Sequence, residues 1–164
     1  GAEVTGIDAS SATLPIASDH AASQGLKIDY RNITAEALAA TGQRFDAVLA
    51  LEVIEHVPDP ARFLSAAAAL TRPGGLVFVS TLNQTAKAFA LAIVGAEYVL
   101  GWLPKGTHDW RRFQNPEALD RMMADAGLDP FDAKGMVYEP LADRWSLSDR
   151  DLSVNYICCA GKPE

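Results

Sequence analysis

Short apolar runs rich in valine and isoleucine alternate along this chain with alanine-rich segments of helical character. Near-continuous apolar runs of this kind are typical of strands in a parallel sheet that is covered on both faces. They predict strands at 3–7, 27–31, 45–51, 76–81, 131–137 and 154–160. The segments between them predict helices at 15–23, 34–40, 60–70 and from 115 to about 127. The alternation predicts a single α/β domain over residues 1–164, with a doubly wound, mostly parallel sheet.

Composition and charge narrow the class of protein. The 164 residues include 14 lysines and arginines and 21 aspartates and glutamates, which gives a net charge of −7. A broad nucleic-acid groove needs many cations, so nucleic acid is not the expected partner. The two cysteines are adjacent at 158 and 159, which argues against a disulfide framework and favours a reducing compartment. No signal peptide is visible at the start of this sequence, and a soluble protein is expected.

Polar side chains follow the predicted strands, where ligands of open α/β sheets bind. Asp8 follows the first strand, and it either accepts hydrogen bonds from a ribose or caps the next helix. Glu52, Glu55 and His56 follow the strand at 45–51. Carboxylates suit hard divalent cations such as Mg²⁺, and one imidazole is compatible with Mn²⁺ or Zn²⁺. The alternative is a salt-bridged loop in which His56 bonds to backbone.

An apolar run at 88–103 lacks a polar face, and at helical spacing both of its sides are apolar. Such a helix is buried in a core, or it contacts lipid or an apolar substrate. Lys87 and Lys105 flank the run, as is typical of a segment at an anionic bilayer surface. His108 and Asp109 follow, and they are candidates for a general base or for a structural pair.

Several motifs resemble those of class I S-adenosylmethionine-dependent methyltransferases, and the similarity runs over nearly the whole chain. They are VTGID at 4–8, IEHVPDP at 54–60, RPGG at 72–75 and STLN at 80–83. A second set is similar, more narrowly, to the ubiquinone-biosynthesis O-methyltransferase family. It comprises VGAEYVL at 94–100, PKGTHD at 104–109 and VNY at 154–156.

The resemblance implies a Rossmann-like fold and methylation of phenolic hydroxyls of polyprenylated ubiquinone precursors. It implies S-adenosylmethionine as cofactor, with Asp8 at its ribose and Leu51 in contact with it. It implies a divalent metal, Mg²⁺ by preference, on Glu52, Glu55 and His56.

The resemblance also implies that residues 84–110 form an insertion and that 87–109 meet an anionic membrane surface. We expect a cytoplasmic protein peripheral to the inner membrane, on the matrix face in a eukaryote, with a ubiquinone-biosynthesis complex as a further partner.

One departure from the family pattern concerns the start of the sequence. The family carries a first strand and a Gly-rich loop before the strand that ends at Asp8, and neither is present here. The sequence is therefore expected to be an N-terminally truncated methyltransferase domain whose neighbouring strands expose apolar surface, and the activity is assigned to the parent protein. Two alternatives stay open. One is a methyltransferase acting on carbon or nitrogen of another small molecule, and the other is a non-catalytic nucleotide-binding module.

Overall fold

A computed structural model describes residues 1–89, 109–139 and 142–164. In chain order the elements are β1 Val4–Asp8, α1 Leu14–Ser23, β2 Ile28–Asn32, α2 Ala35–Ala39, β3 Phe45–Leu51, α3 Pro60–Leu70, β4 Thr71–Leu82, the short turn α4 Ala86–Ala88, α5 Pro116–Asp125, β5 Asp129–Glu139, β6 Arg144–Ser148 and β7 Asn155–Gly161. A 3-10 turn at Trp110–Arg112 precedes α5. Every strand and helix predicted within these residues is present, the apolar run at 88–103 lies mostly outside them, and β6 was not predicted.

The strands form two sheets. β1 and β2 pair in parallel, and a five-stranded sheet has the order β3-β4-β7-β5-β6. In the larger sheet β3 and β4 are parallel, while β7 pairs antiparallel with both β4 and β5, and β6 pairs antiparallel with β5. The α/β class is confirmed, and the parallel part is confined to β1–β2 and β3–β4. The reversed strand β7 separates β4 from β5, which run in the same direction.

Local signals position the helices as the sequence predicts. The Asp59 carboxylate accepts a hydrogen bond from the Arg62 amide at 3.0 Å, so that α3 begins with a capped first turn. Asn115 does the same for α5, with its side-chain oxygen accepting from the Ala118 amide at 2.8 Å. A proline follows each cap, where its missing N–H costs nothing.

The main core lies on one face of the five-stranded sheet. Side chains of β3, β4 and β7 pack there against α3 and α5, with Leu64 and Leu119 fully buried. Burying a leucine of this kind contributes about 2 kcal/mol. The opposite face of β3 is open, since Leu49 and Leu51 are 63% and 49% exposed. The apolar run had predicted cover on both faces of this strand, and that prediction is wrong for the described structure. β3, the edge strand of this sheet, thus exposes apolar side chains.

Candidate functional site

The backbone turns sharply where β3 ends. Glu52 follows the strand directly and has φ of 53°, a left-handed conformation that few residues other than glycine adopt. Its amide donates to both the backbone oxygen and the Oγ of Ser80, each at 3.1 Å. The Ser80 hydroxyl in turn donates to Glu52 Oε1 at 2.9 Å. Glu52 is therefore held over the end of β4 by its backbone and by its side chain.

Glu55 is buried beside it, with only 4% of the residue exposed. The hydroxyl of Thr81, the next residue of β4, donates to Glu55 Oε2 at 2.8 Å. Glu55 Oε1 is buried and has no hydrogen-bond partner in the described part of the chain. The Nε2 atom of His56 lies 4.0 Å from that oxygen, and the His56 side chain is 52% exposed. A buried carboxylate oxygen without a donor is costly, so this atom is suited to a cation.

The electrostatics of Glu52 and Glu55 also favour a cation at this place. Burial, and then the neighbouring charge of Glu55, raise the pKa of Glu52 from an ordinary 4.5 to about 7. Hydrogen bonds from Ser80 and from the side chain of Asn155, the first residue of β7, act in the opposite direction. Burial also raises the pKa of the nearby Tyr156 phenol above its usual value. A side-chain hydrogen bond with Glu55 also raises the pKa of Glu52, so the two carboxyl groups are close enough to disfavour two negative charges, and a bound cation would favour both.

These residues fit a hard divalent ion in their chemistry. Two carboxylates with an imidazole nearby are a donor set that Mg²⁺ or Mn²⁺ accepts, and Glu55 Oε1 is an oxygen that needs a partner. Across 1–89, 109–139 and 142–164, no three His, Cys, Asp or Glu side chains are already gathered closely enough to enclose an ion. Glu52 and Glu55 are thus brought together, and His56 lies at the edge of the pair.

Asp8 and Leu51 occupy the strand ends that were predicted to meet a cofactor. Asp8 Oδ1 accepts from the Ser10 amide and Oδ2 from the Thr13 hydroxyl, each at 2.7 Å. These hydrogen bonds lower the pKa of the Asp8 carboxyl. The carboxylate therefore organises the turn before α1 without capping that helix, whose N-cap is Thr13, and each oxygen keeps a second lone pair for a ribose hydroxyl. Leu51 presents an exposed apolar side chain beside Glu52.

His108 lies outside the described residues, as does most of the predicted insertion at 84–110. Asp109 is exposed, and its Oδ1 accepts from the Arg111 amide at 3.0 Å, so it begins the 3-10 turn. That turn contacts the segment after β4. The side-chain Nε2 of Gln84 donates to the Trp110 backbone oxygen at 3.4 Å, and the Trp110 indole donates to the Thr85 backbone oxygen at 3.3 Å.

Three polar residues of the site were not predicted as site residues: Ser80, Thr81 and Asn155. Ser80 and Thr81 belong to the STLN motif at the end of β4, and Asn155 begins β7. The register pairs Leu51 with Ser80, and Leu82 with Asn155, so the three residues converge on the edge of the sheet that carries Glu52. A search for hydroxyl and amide side chains at strand ends finds all three.

Comparison with known proteins places this geometry in context. A methyltransferase domain family matches residues 1–132. A ubiquinone biosynthesis O-methyltransferase from Dinoroseobacter shibae is 58% identical over 163 residues, which cover 99% of this chain and 66% of that protein. One of the same name from Cereibacter sphaeroides is 56% identical, with the same coverage. These matches confirm the resemblance. The chain spans 66% of the length of these two relatives, slightly less than two thirds.

A solved structure from Thermotoga maritima, described as an S-adenosylmethionine-dependent methyltransferase and possible histamine N-methyltransferase, has a similar fold. The TM-score is 0.70, with 21% identity over 97% of this chain and 72% of that chain. This likeness concerns the fold alone.

Proposed function

This chain belongs to the methyltransferase domain family, and on that premise we propose that the intact protein is an O-methyltransferase. It transfers a methyl group from S-adenosylmethionine to a phenolic hydroxyl of a polyprenylated ubiquinone precursor. The names of the relatives support the reaction and the substrate class. The observation that carries the proposal is the pair of half-buried Glu52 and buried Glu55 after the carboxyl end of β3, with one oxygen of Glu55 left without a donor.

The reaction needs an activated oxygen, because a phenol with a pKa near 10 is a poor nucleophile at neutral pH. Glu52, Glu55 and His56 would hold a divalent ion, Mg²⁺ by preference. When bound, such an ion supplies Lewis-acid stabilisation of a phenolate. Glu52 and Glu55 set the negative charge that attracts the ion, and Ser80 and Thr81 fix both carboxylates by hydrogen bonds. Lowering the phenol pKa by one unit corresponds to about 1.4 kcal/mol.

The other roles fall on residues near the same edge. Asp8 would accept hydrogen bonds from the ribose of the cofactor, and Leu51 would cover an apolar part of it. His108, with Asp109, would take the phenolic proton or orient the substrate.

We further propose contact with an anionic membrane surface through 87–109, with the protein cytoplasmic and peripheral to the inner membrane. Phe89 and Trp110, at the two ends of the segment outside the described residues, contact each other edge to face at 6.5 Å and are 44% and 37% exposed. Exposed Arg111 and Arg112 add positive charge beside them. Lys87 is less available to a membrane surface, because its Nζ pairs with Asp151 Oδ2 at 3.0 Å. A ubiquinone-biosynthesis complex stays part of this proposal.

The described residues contain no helix that is both long and apolar enough to cross a bilayer.

The test is methyl transfer by the intact protein as Mg²⁺ is titrated after treatment with a chelator. Glu55→Gln should require at least about tenfold more Mg²⁺ for half-maximal rate, because a neutral amide is a poorer ligand than a carboxylate. Glu117→Gln, which removes an exposed carboxylate from α5, is the matched control. A Mg²⁺ dependence in Glu55→Gln equal to that of wild type would contradict the assignment.

A further inference from the structure

We propose that Thr81, together with Ser80, is a positioning residue that makes the acidic pair selective for Mg²⁺ and Mn²⁺ over Ca²⁺. The inference rests on the proposed function and deepens it. Each hydroxyl occupies one oxygen of one glutamate. For Glu55, this bond favours coordination of a cation through Oε1 alone.

The geometry comes from two consecutive residues of β4. Side chains of successive strand residues point to opposite faces. Ser80 reaches Glu52 Oε1 at 2.9 Å, and Thr81 reaches Glu55 Oε2 at 2.8 Å. Both hydroxyl residues are buried, Thr81 fully so. Each carboxylate is therefore held by a buried hydroxyl at the end of β4, where water does not compete for that hydroxyl.

The hydroxyl hydrogen bonds affect how many oxygens each glutamate offers to a cation. Thr81 takes Oε2 of Glu55, and the atom left for a cation is Oε1, which is buried and has no donor among the described residues. Ca²⁺ accepts six to eight oxygens and commonly takes both oxygens of one carboxylate. Mg²⁺ demands a near-octahedral shell and is satisfied by one oxygen from each carboxylate. Hydroxyls that tie up the second oxygen therefore disfavour Ca²⁺.

The Thr81 hydroxyl, rather than its volume, is the group that matters. Valine has nearly the same shape and lacks only the donor, so Thr81→Val frees Glu55 Oε2 with little change in packing. Serine keeps the donor and should restore the wild-type site. A matched control lies at the other end of the same strand, where the buried Thr71 hydroxyl donates to the Ala67 oxygen at 2.8 Å, on the helix that precedes β4.

The experiment measures Mn²⁺ binding to the intact protein by electron paramagnetic resonance, with Mg²⁺ and Ca²⁺ as competitors. Thr81→Val should weaken Mn²⁺ binding about 10- to 100-fold, the usual cost of losing an outer-shell partner. It should also reduce the preference for Mg²⁺ over Ca²⁺ by about tenfold, which a purely structural defect would not do. Thr81→Ser and Thr71→Val should match wild type in both quantities.

The outcomes separate this inference from the proposed function. Wild-type protein that binds no Mn²⁺ refutes the metal role itself, and the inference with it. Wild-type binding with an unchanged affinity and selectivity in Thr81→Val overturns only the inference. Equal weakening in Thr71→Val, or no recovery in Thr81→Ser, assigns the effect to packing and overturns it too. Should Thr81→Val fail to fold, Ser80→Ala takes its place in the same assay, and an unchanged Mn²⁺ affinity there is the refuting result.

Discussion

Glu52→Gln removes a carboxyl group whose pKa burial and the charge of Glu55 raise from 4.5 to about 7. In the unfolded chain this group ionises near pH 4.5, and in the folded protein, without a cation, it keeps its proton up to about pH 7. Between those values the folded state binds more protons than the unfolded state, so stability falls as pH rises. The contribution is fully present below pH 4.5 and is lost above pH 7.

The size of this loss of unfolding free energy follows from the folded and unfolded pKa values of Glu52. Their difference, at about 1.36 kcal/mol for each pH unit, corresponds to about 3 kcal/mol. In the intact protein with chelator, wild type should lose about this much unfolding free energy relative to Glu52→Gln between pH 4.5 and pH 8. Relative to the difference between the two proteins at pH 4.5, the unfolding free energy of Glu52→Gln at pH 8 is therefore higher than that of wild type. Adding Mg²⁺ at pH 8 should restore most of the wild-type loss, because a bound cation compensates the carboxylate charge.

The assay is urea unfolding, followed by circular dichroism at intervals of half a pH unit. Glu117→Gln controls for the loss of an exposed carboxylate and should follow the wild-type profile. Parallel pH profiles for wild type and Glu52→Gln would refute the reasoning, since they would mean that the site leaves the Glu52 carboxyl undisturbed. A wild-type profile that rises with pH relative to the variant would refute it as well.

Three further outcomes are expected of the intact protein. Phe89→Ser should reduce co-sedimentation with anionic vesicles several-fold, whereas Phe131→Ser, at a 65% exposed position on β5, should not; equal losses would contradict the membrane surface. Burial raises the pKa of the Cys158 thiol to about 12, so a thiol reagent at pH 8 should label Cys159 first and Cys158 only on unfolding, and equal labelling rates would contradict this. Leu64→Ala should lower the unfolding free energy in urea by about 3 kcal/mol, and a loss under about 1 kcal/mol would show that the core tolerates the cavity.

The strands that hold apolar side chains against α3 and α5 could be predicted from the sequence, because their hydrophobic pattern is local. β6 was missed because Trp145 and Leu147 alternate with polar residues, and the strands were predicted from near-continuous apolar runs; both side chains are exposed. The antiparallel placement of β7 was hidden for a different reason. A strand between two neighbours has the same apolar pattern whichever way it runs, and its direction depends on the connection from β6.

Some residues of the candidate site could be predicted from the sequence, and others could not. Glu52 and Glu55 were predicted together because they are close in sequence and follow one strand. Ser80 and Thr81 were not assigned to the same site, because consecutive residues of a strand normally serve opposite faces. Only the left-handed turn at Glu52, with φ of 53°, brings a carboxylate within reach of Ser80 while Glu55 meets Thr81. That conformation is set by tertiary contacts, which local sequence patterns do not reveal.

In the proposed site, the hydroxyls of Ser80 and Thr81 would make cation binding depend on the alignment of β3 with β4. Leu51 lies opposite Ser80 when β3 and β4 are correctly aligned. Sliding β4 by one position would bring an apolar Val79 toward one glutamate and turn a hydroxyl away from the other. Only the correctly aligned sheet would then retain the ion, and mass action would favour it over misaligned competitors during refolding. A cation bound at the proposed site would thus stabilise the same strand pairing that forms the site.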